Sequence, residues 1–287
     1  MTEVRAKAAL PVAGEPMIRR IVTWLAEGGV SEVTVNLHHL PATVAGALGD
    51  GSDLSVHARY SWEQPRVLGT AGGPRQALSI VGADAFLIVN GDTLTDIDIR
   101  ALWDAHQQGG ALVTLALVPN RSPHRYGGVE VGSNGAVTAF RRPGGSSTAY
   151  HFVGAQAVQA EAFRSLPEGQ PAQSVGGLYD SLIAKKPGSV RSFVSDAAFL
   201  DVGTVKDYWA THWILESQGR ALHQAAAPSP THVTRSIVWD GVEVPPDCVV
   251  DECILTDGVR LPPAARFSRA ILLRTPGDSL HVHPFLP

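Results

Sequence analysis

Apolar residues recur at Ile18, Ile21, Val22 and Leu25, the spacing of one helix face, and Pro16 stands where a helix tolerates its first residue. Gly28 and Gly29 end that pattern. The period then shortens to two: Val33, Val35 and Leu37 share a face, which predicts a strand over 32–37. A helix over 42–48, a strand over 54–60 and a helix over 71–80 follow. The run at 85–89 is apolar without a break, as in a strand buried on both faces, and it leads into Asn90-Gly91-Asp92. A helix over 97–106 and another apolar strand over 111–118 continue the alternation. Strands alternating with helices at this spacing imply a mostly parallel α/β sheet. From residue 128 the pattern changes. Segments 128–131 and 136–141 flank Ser133-Asn134-Gly135, a hairpin signature that makes the sheet mixed. Strands over 150–158, 189–194 and 199–201 and helices over 160–165, 175–184 and 206–218 complete the prediction.

The remainder repeats itself. The stretch from Gly241 to Leu255 can be laid on the stretch from Gly258 to Leu272 at an offset of 17, with Gly, Val, Pro-Pro and Ile-Leu coinciding. Apolar residues step by six through Val238, Val244 and Val250, then through Leu255, Leu261, Phe267 and Leu273. Three short faces per turn describe a β-helix coil. Two turns cannot stand alone, because stacked repeats bury a core only against neighbours. The coil is therefore expected to pack on the large domain or on another chain. The organisation read from the pattern is one domain over 1–220 and a small coil domain over 221–287.

Composition narrows the function classes. A chain of 287 residues can bury a full core without disulfide or metal support. With 23 basic against 27 acidic residues and pI ≈ 6.2, it lacks the basic excess of a nucleic-acid binder. No apolar window is long enough for a membrane span, and residues 1–7 carry no signal-peptide core. Two cysteines, Cys248 and Cys253, fit a reducing cytoplasm, and without a second pair they read as coil-filling residues rather than zinc ligands. His38, His39, His281 and His283 read as surface loop residues.

Four features could carry chemistry. Asp92 follows a buried strand, where open α/β sheets bind ligands, and could hold a divalent metal against phosphates or could be a helix cap or a turn aspartate. Asp201, in Phe199-Leu-Asp201-Val-Gly203-Thr204, has the same two readings, and the two aspartates could converge on one cation. Leu68-Gly69-Thr70-Ala71-Gly72-Gly73 opens a helix, where free N–H groups can meet a ligand, yet it is neither a Walker loop nor a dinucleotide fingerprint. Lys7, Arg141 and Arg142 are cations that a phosphate would need.

Together these segments resemble the sugar-1-phosphate nucleotidyltransferase (NDP-sugar pyrophosphorylase) family over nearly the whole chain. Lys7-Ala-Ala-Leu-Pro11-Val-Ala-Gly14-Glu-Pro16-Met17-Ile18 resembles its lysine-proline segment, and Glu63 with residues 68–73 its nucleoside-binding loop. Val89-Asn-Gly-Asp92 and Asp201-Val-Gly-Thr204 resemble its two metal-binding aspartate segments. Tyr126-Gly127-Gly128-Val129 and Phe152-Val153-Gly154 resemble its sugar-binding segments, and the repeat resembles the short left-handed β-helix of mannose-1-phosphate guanylyltransferases.

The resemblance implies a Rossmann-like mixed α/β sheet domain with a C-terminal left-handed β-helix. It implies that a sugar 1-phosphate attacks the α-phosphorus of an NTP, giving an NDP-sugar and pyrophosphate. GTP and GDP-mannose are the first expectation. Asp92 and Asp201 would hold Mg²⁺, and Lys7 and Arg142 would contact phosphates. Glu63, Leu68, Gly69, Thr70, Ala71, Gly72, Asn90 and Gly91 would meet the nucleotide, and Gly127, Arg141 and Gly154 the sugar. The coil suggests homo-oligomers.

Two departures bear on activity. Arg141-Arg142-Pro143 stands where the family has Glu-Lys-Pro, so Arg141 reverses a charge at the sugar hydroxyls. The family also opens with a strand and a Gly-x-Gly-Thr-Arg loop, whereas Thr2-Glu3-Val4 matches the segment just after them. The expectation is that Met1 is a misplaced start, that residues 33–37 and 86–89 would flank the absent strand, and that the chain as it stands transfers weakly or not at all and folds poorly. The competing expectations are a non-catalytic NDP-sugar-binding regulatory subunit, a truncated inactive form and, further off, an acyltransferase built on a hexapeptide coil.

Overall fold

The computed structural model describes residues 1–144, 150–219, 232–274, 277 and 279–286. They fall into two compact units, one of residues 20–41 and 48–200, the other of residues 1–19, 42–47 and 201–287. The boundary expected at residue 220 lies outside the described residues.

The larger unit is built on a 6-stranded mixed sheet. Its order is Val190–Val194, Val113–Pro119, Tyr150–Gln159, Gly128–Val131 and Val137–Arg141, with Ala85–Val89 also pairing Tyr150–Gln159. The side chains of Val113–Pro119 alternate between two cores. Val113, Leu115 and Leu117 join Val158, Phe163 and Tyr179, whereas Ala116 and Val118 join Ile21, Leu25, Leu102, Ala155 and Ala157. That is a strand buried on both faces, as its apolar run predicts.

The sheet is less parallel than the alternation of helices and strands implies. Val190–Val194 runs parallel to Val113–Pro119, but Tyr150–Gln159 is antiparallel to both Val113–Pro119 and Ala85–Val89. The period-two pattern is the same for either direction, so it records burial and not orientation. The run at 85–89 is only half-buried throughout, and it pairs with Tyr150–Gln159. Glu32–Leu37 pairs in parallel with His57–Trp62.

Local differences have local causes. The helix expected over 97–106 is Ile99–Gly109, because Asp98 caps it by accepting the Ala101 N–H at 2.9 Å. The helix expected over 175–184 begins as a wide turn, Ser174–Leu178, in which Gly176 sits at φ +78°, and becomes regular only over Tyr179–Lys185. Pro16 ends a two-residue strand, Glu15–Pro16, which pairs with Pro11–Val12, and the helix starts at Met17. Strands of two residues carry no period to read.

The smaller unit contains the coil. His232–Thr234, Val249–Asp251 and Arg266–Ser268 stack in parallel, as do Ile237–Val238, Ile254–Leu255 and Ala270–Arg274. Partners stand 17 residues apart, the offset of the sequence repeat. One corner of each coil is left-handed at the equivalent residue: Arg235, Glu252 and Arg269, at φ 40°, 50° and 51°. Cys248 and Cys253 are free thiols buried among Val250, Leu255, Leu261 and Leu272, so they do fill the coil. His281 and His283 lie in a strand, Leu280–Pro284, that closes the coil antiparallel to Ala270–Arg274, not in a loop as expected. His38 and His39 are in a loop. No helix among the described residues is long and apolar enough to cross a membrane.

Candidate functional site

In the larger unit the glycine-rich segment forms the start of helix Gly69–Val81. Its first free N–H groups are already used. Ala71 and Gly72 donate to the Ala172 carbonyl at 3.0 and 3.2 Å, and Ala172 N–H returns a bond to Leu68 O at 2.9 Å. Thr70 Oγ1 accepts the Ser174 N–H at 2.8 Å and lies 3.1 Å from Gln173 Oε1, to which it donates. Residues 170–174 therefore strap the segment down. The glycines are explained by this approach: a Cβ at Gly72 would lie 2.5 Å from Gln170 O, and one at Gly69 2.8 Å from Ala172 O. Glu63 is buried, and its Oε2 accepts the Leu68 N–H at 2.7 Å. Its other oxygen would be 2.3 Å from a Cβ at Gly73, so Glu63 and Gly73 fit only as a pair. Sequence reasoning missed Gln173 and Ser174, because a strap without periodicity leaves no pattern.

The turn Asn90-Gly91-Asp92 comes up against the sheet at Gly154. Asn90 N–H donates to Gly154 O at 2.8 Å. Gly154 has φ +82° and sits in the register shift between Phe152 and Gln156, a bulge that a glycine makes without strain. Two segments assigned separately to nucleotide and sugar thus meet in one place. Asp92 is half-buried and does not cap the following helix, which Asp98 does.

Gly127 opens the hairpin, where a Cβ would lie 2.8 Å from Arg141 O. The Arg141 side chain turns to Glu130 instead, donating at 2.7 and 2.9 Å through Nε and Nη2. The pair raises the Arg141 pKa and lowers that of Glu130. Arg142 is exposed. Beside Gly127 the rings of Tyr126, His151 and Phe199 cluster, with centroids 4.4 Å apart for Tyr126 and His151 and 4.6 Å for His151 and Phe199. Arg125 covers Tyr126 at 4.8 Å. His151 is a further residue of this surface that the sequence reading does not mark, and Phe199 is marked only for the strand that leads to Asp201.

In the smaller unit Lys7 begins a short 3-10 turn, Lys7–Ala9, whose entry is held by Ala6 N–H donating to Thr43 Oγ1 at 3.0 Å. Asp201 ends strand Phe199–Asp201. It is not the cap of helix Val205–Ser217: Thr204 accepts the Asp207 N–H and the Asp207 carboxylate accepts the Thr204 N–H in a reciprocal capping box. The helix-cap alternative for Asp92 and Asp201 is thereby removed, since each helix has its own cap. Each is a hard carboxylate of the kind that Mg²⁺ takes singly or in pairs, completing its shell with substrate oxygens and water. Among the described residues no group of three or more side chains forms a metal cage.

The pattern of the family described as Nucleotidyl transferase matches residues 1–218. A mannose-1-phosphate guanylyltransferase of Mycobacterium tuberculosis is 27% identical over 249 residues, 85% of this chain and 67% of that protein. A D-glycero-alpha-D-manno-heptose 1-phosphate guanylyltransferase of Aneurinibacillus thermoaerophilus is 30% identical, over 70% of this chain and 86% of that one. Two further curated relatives match over 36% and 73% of this chain, which spans 45% and 58% of their length. The fold is similar to that of HddC from Yersinia pseudotuberculosis, solved alone and with GMP-PN, at TM-score 0.63 and 20% identity over 73% of this chain and 89% of that one. The match of that pattern over residues 1–218, with a relative 30% identical over most of its own length, shows that the chain belongs to the nucleotidyl transferase family.

Proposed function

We propose that the protein joins an NTP to a sugar 1-phosphate, forming an NDP-sugar and releasing pyrophosphate, with GTP and mannose 1-phosphate as the first pair. The observation that supports it best is the seating of the Asn90-Gly91-Asp92 turn on Gly154, where Asn90 N–H donates to Gly154 O and the Asn90 side chain takes the space a Cβ would fill. The guanylyl preference rests on the names of the two relatives above.

The reaction asks for charge neutralisation and alignment rather than covalent help, because an anionic phosphate must approach an anionic triphosphate. A phosphate oxygen of the sugar 1-phosphate forms a bond to the α-phosphorus, and the bond from that phosphorus to the pyrophosphate oxygen breaks. Lys7 and Arg142 are proposed to hold phosphate oxygens as cations. Residues 68–72 are proposed to border the base, held in shape by the strap and by Glu63. Asp92 and Asp201 are each proposed to offer a carboxylate to Mg²⁺, which when bound offsets charge on the triphosphate.

The test is pyrophosphate release by the 287-residue chain, measured with GTP, UTP, dTTP and ATP against a panel of sugar 1-phosphates. Release with GTP and mannose 1-phosphate above every other pair supports the reading. Tight NDP-sugar binding with no release from any pair would make the chain a regulatory subunit instead.

A further inference from the structure

The coil repeat sets up a contact that reaches back to the start of the chain, and we infer that the C-terminal coil positions Lys7 through Arg5, Trp239 and Tyr208. The inference rests on the reading of Lys7 as a phosphate contact. Every residue involved belongs to the smaller unit.

Asp240 and Asp257 are equivalent residues of successive coils, each followed by a glycine at positive φ, Gly241 and Gly258. Stacking therefore spaces their carboxylates by roughly one strand separation, about 4.8 Å. Arg5 bridges them. It donates to Asp257 through Nε at 2.6 Å and Nη2 at 2.7 Å, and through Nη2 to Asp240 at 2.5 Å. A planar guanidinium fits two acceptors in this way and a lysine ammonium does not. The Arg5 side chain is only 15% exposed, so water competes weakly for it. Its guanidinium also lies 5.6 Å from the Trp239 ring centroid.

The contact continues inward. Trp239 Nε1 donates to the Tyr208 hydroxyl at 2.9 Å, and that hydroxyl donates to Pro11 O at 2.6 Å. Burial pushes the Tyr208 phenol well above its ordinary range, which keeps the proton it donates. From the same helix His212 Nδ1 accepts the Ala13 N–H at 3.1 Å. The coil and helix Val205–Ser217 thus hold the chain at Arg5 before Lys7 and at Pro11 and Ala13 after it. The Lys7 backbone is fixed on both sides, so the reach of its ammonium is set from the C-terminal coil. Arg5, Trp239 and Tyr208 are positioning residues; none of them needs to touch substrate.

Arg5→Gln, Arg5→Lys and Tyr208→Phe in the full chain test this with two readouts. Amide hydrogen exchange at Ala9, Leu10 and Ala13 should quicken about tenfold in Arg5→Gln, the loss expected for one charge-assisted hydrogen bond, with the amides of 113–119 unchanged. The rate constant kcat should fall by a similar factor, roughly tenfold, with the NTP KM little altered, since Lys7 would be misplaced for the transition state. Arg5→Lys should lie between wild type and Arg5→Gln. Tyr208→Phe keeps the Arg5 bridge and removes the Pro11 bond together with the acceptor of Trp239 Nε1, so it serves if Arg5→Gln fails to fold. Unchanged exchange in both Arg5→Gln and Tyr208→Phe overturns the inference, as does faster exchange with kcat intact. A wild-type chain that releases no pyrophosphate defeats the functional reading, and the exchange data alone then decide whether the coil orders this segment.

Discussion

The Asn90 side chain lies over the Cα of Gly154 so closely that a Cβ there would stand 2.6 Å from Asn90 Nδ2 and 2.9 Å from Asn90 Cβ. The backbone hydrogen bond between the same two residues, 2.8 Å from Asn90 N to Gly154 O, leaves the turn no room to retreat. Gly154→Ala therefore meets both a clash and an unfavourable φ of +82°. It should cost about 1–3 kcal/mol in denaturant titrations. Its effect on pyrophosphate release should be larger, up to about a hundredfold, because Asp92 moves with the turn. A variant that loses stability and keeps full activity would separate this contact from the site.

Thr70 holds the strap to the glycine-rich helix start through the Ser174 N–H and hydroxyl and the Gln173 side chain. Thr70→Val keeps the shape and strands the partly buried Ser174 N–H. A loss of about 1–3 kcal/mol is expected. The NTP KM should rise more than kcat falls, which steady-state kinetics with varied NTP would show.

Asp201 ends a strand, and Thr204, three residues on, caps the following helix. Thr204→Ala removes the cap and should cost about 1 kcal/mol of stability with activity retained. Asp201→Asn leaves the capping box intact, and Asp92→Asn leaves the Asp98 cap intact. Each should lower transfer by about a hundredfold or more. A chelator should abolish transfer by the unsubstituted chain, and added Mg²⁺ should restore it. Activity that survives chelation would remove the metal from the scheme.

His106 is buried between Thr114 and Gln159, with Nδ1 at 2.9 Å from Thr114 Oγ1 and Nε2 at 3.1 Å from Gln159 Nε2. Burial lowers its pKa. Its neutral form is the folded one, so stability is complete above the unfolded-state value of about 6.5. It declines as pH falls below that value, where the unfolded chain takes up the proton first and the native state resists it. Urea midpoints between neutral and mildly acidic pH should fall accordingly, and His106→Gln should flatten that part of the curve.

Much of this fold is legible in the sequence, and the legible parts share a cause. Ile21 and Leu25 do pack one helix face into the core, and the alternation in Val113–Pro119 does divide between two cores. The coil's offset of 17 reappears in its strand pairing and in the Arg260–Glu243 and Arg269–Glu252 bonds. Each of these is a periodicity, and periodicity survives in a linear string. The two-residue hairpin at Pro11–Val12 and Glu15–Pro16 and the strap at 170–174 have no period, so they stay invisible.

Candidate chemistry divides along the same line. Residue type and local spacing single out Asp92, Asp201, Lys7 and the glycine-rich segment from the sequence alone. Whether an aspartate caps a helix, whether a glycine yields to a ligand or to a neighbouring strap, and which way Arg141 points depend on distant partners. Asp98 and Thr204 take the caps, Ala172 takes the N–H groups of Ala71 and Gly72, and Glu130 takes Arg141. By itself the sequence determines which faces are buried, where the coil repeats and which residue types can carry charge. Only the tertiary structure decides who pairs with whom, because a side chain's burial follows from its own period, whereas its partner is chosen by chain closure between segments far apart.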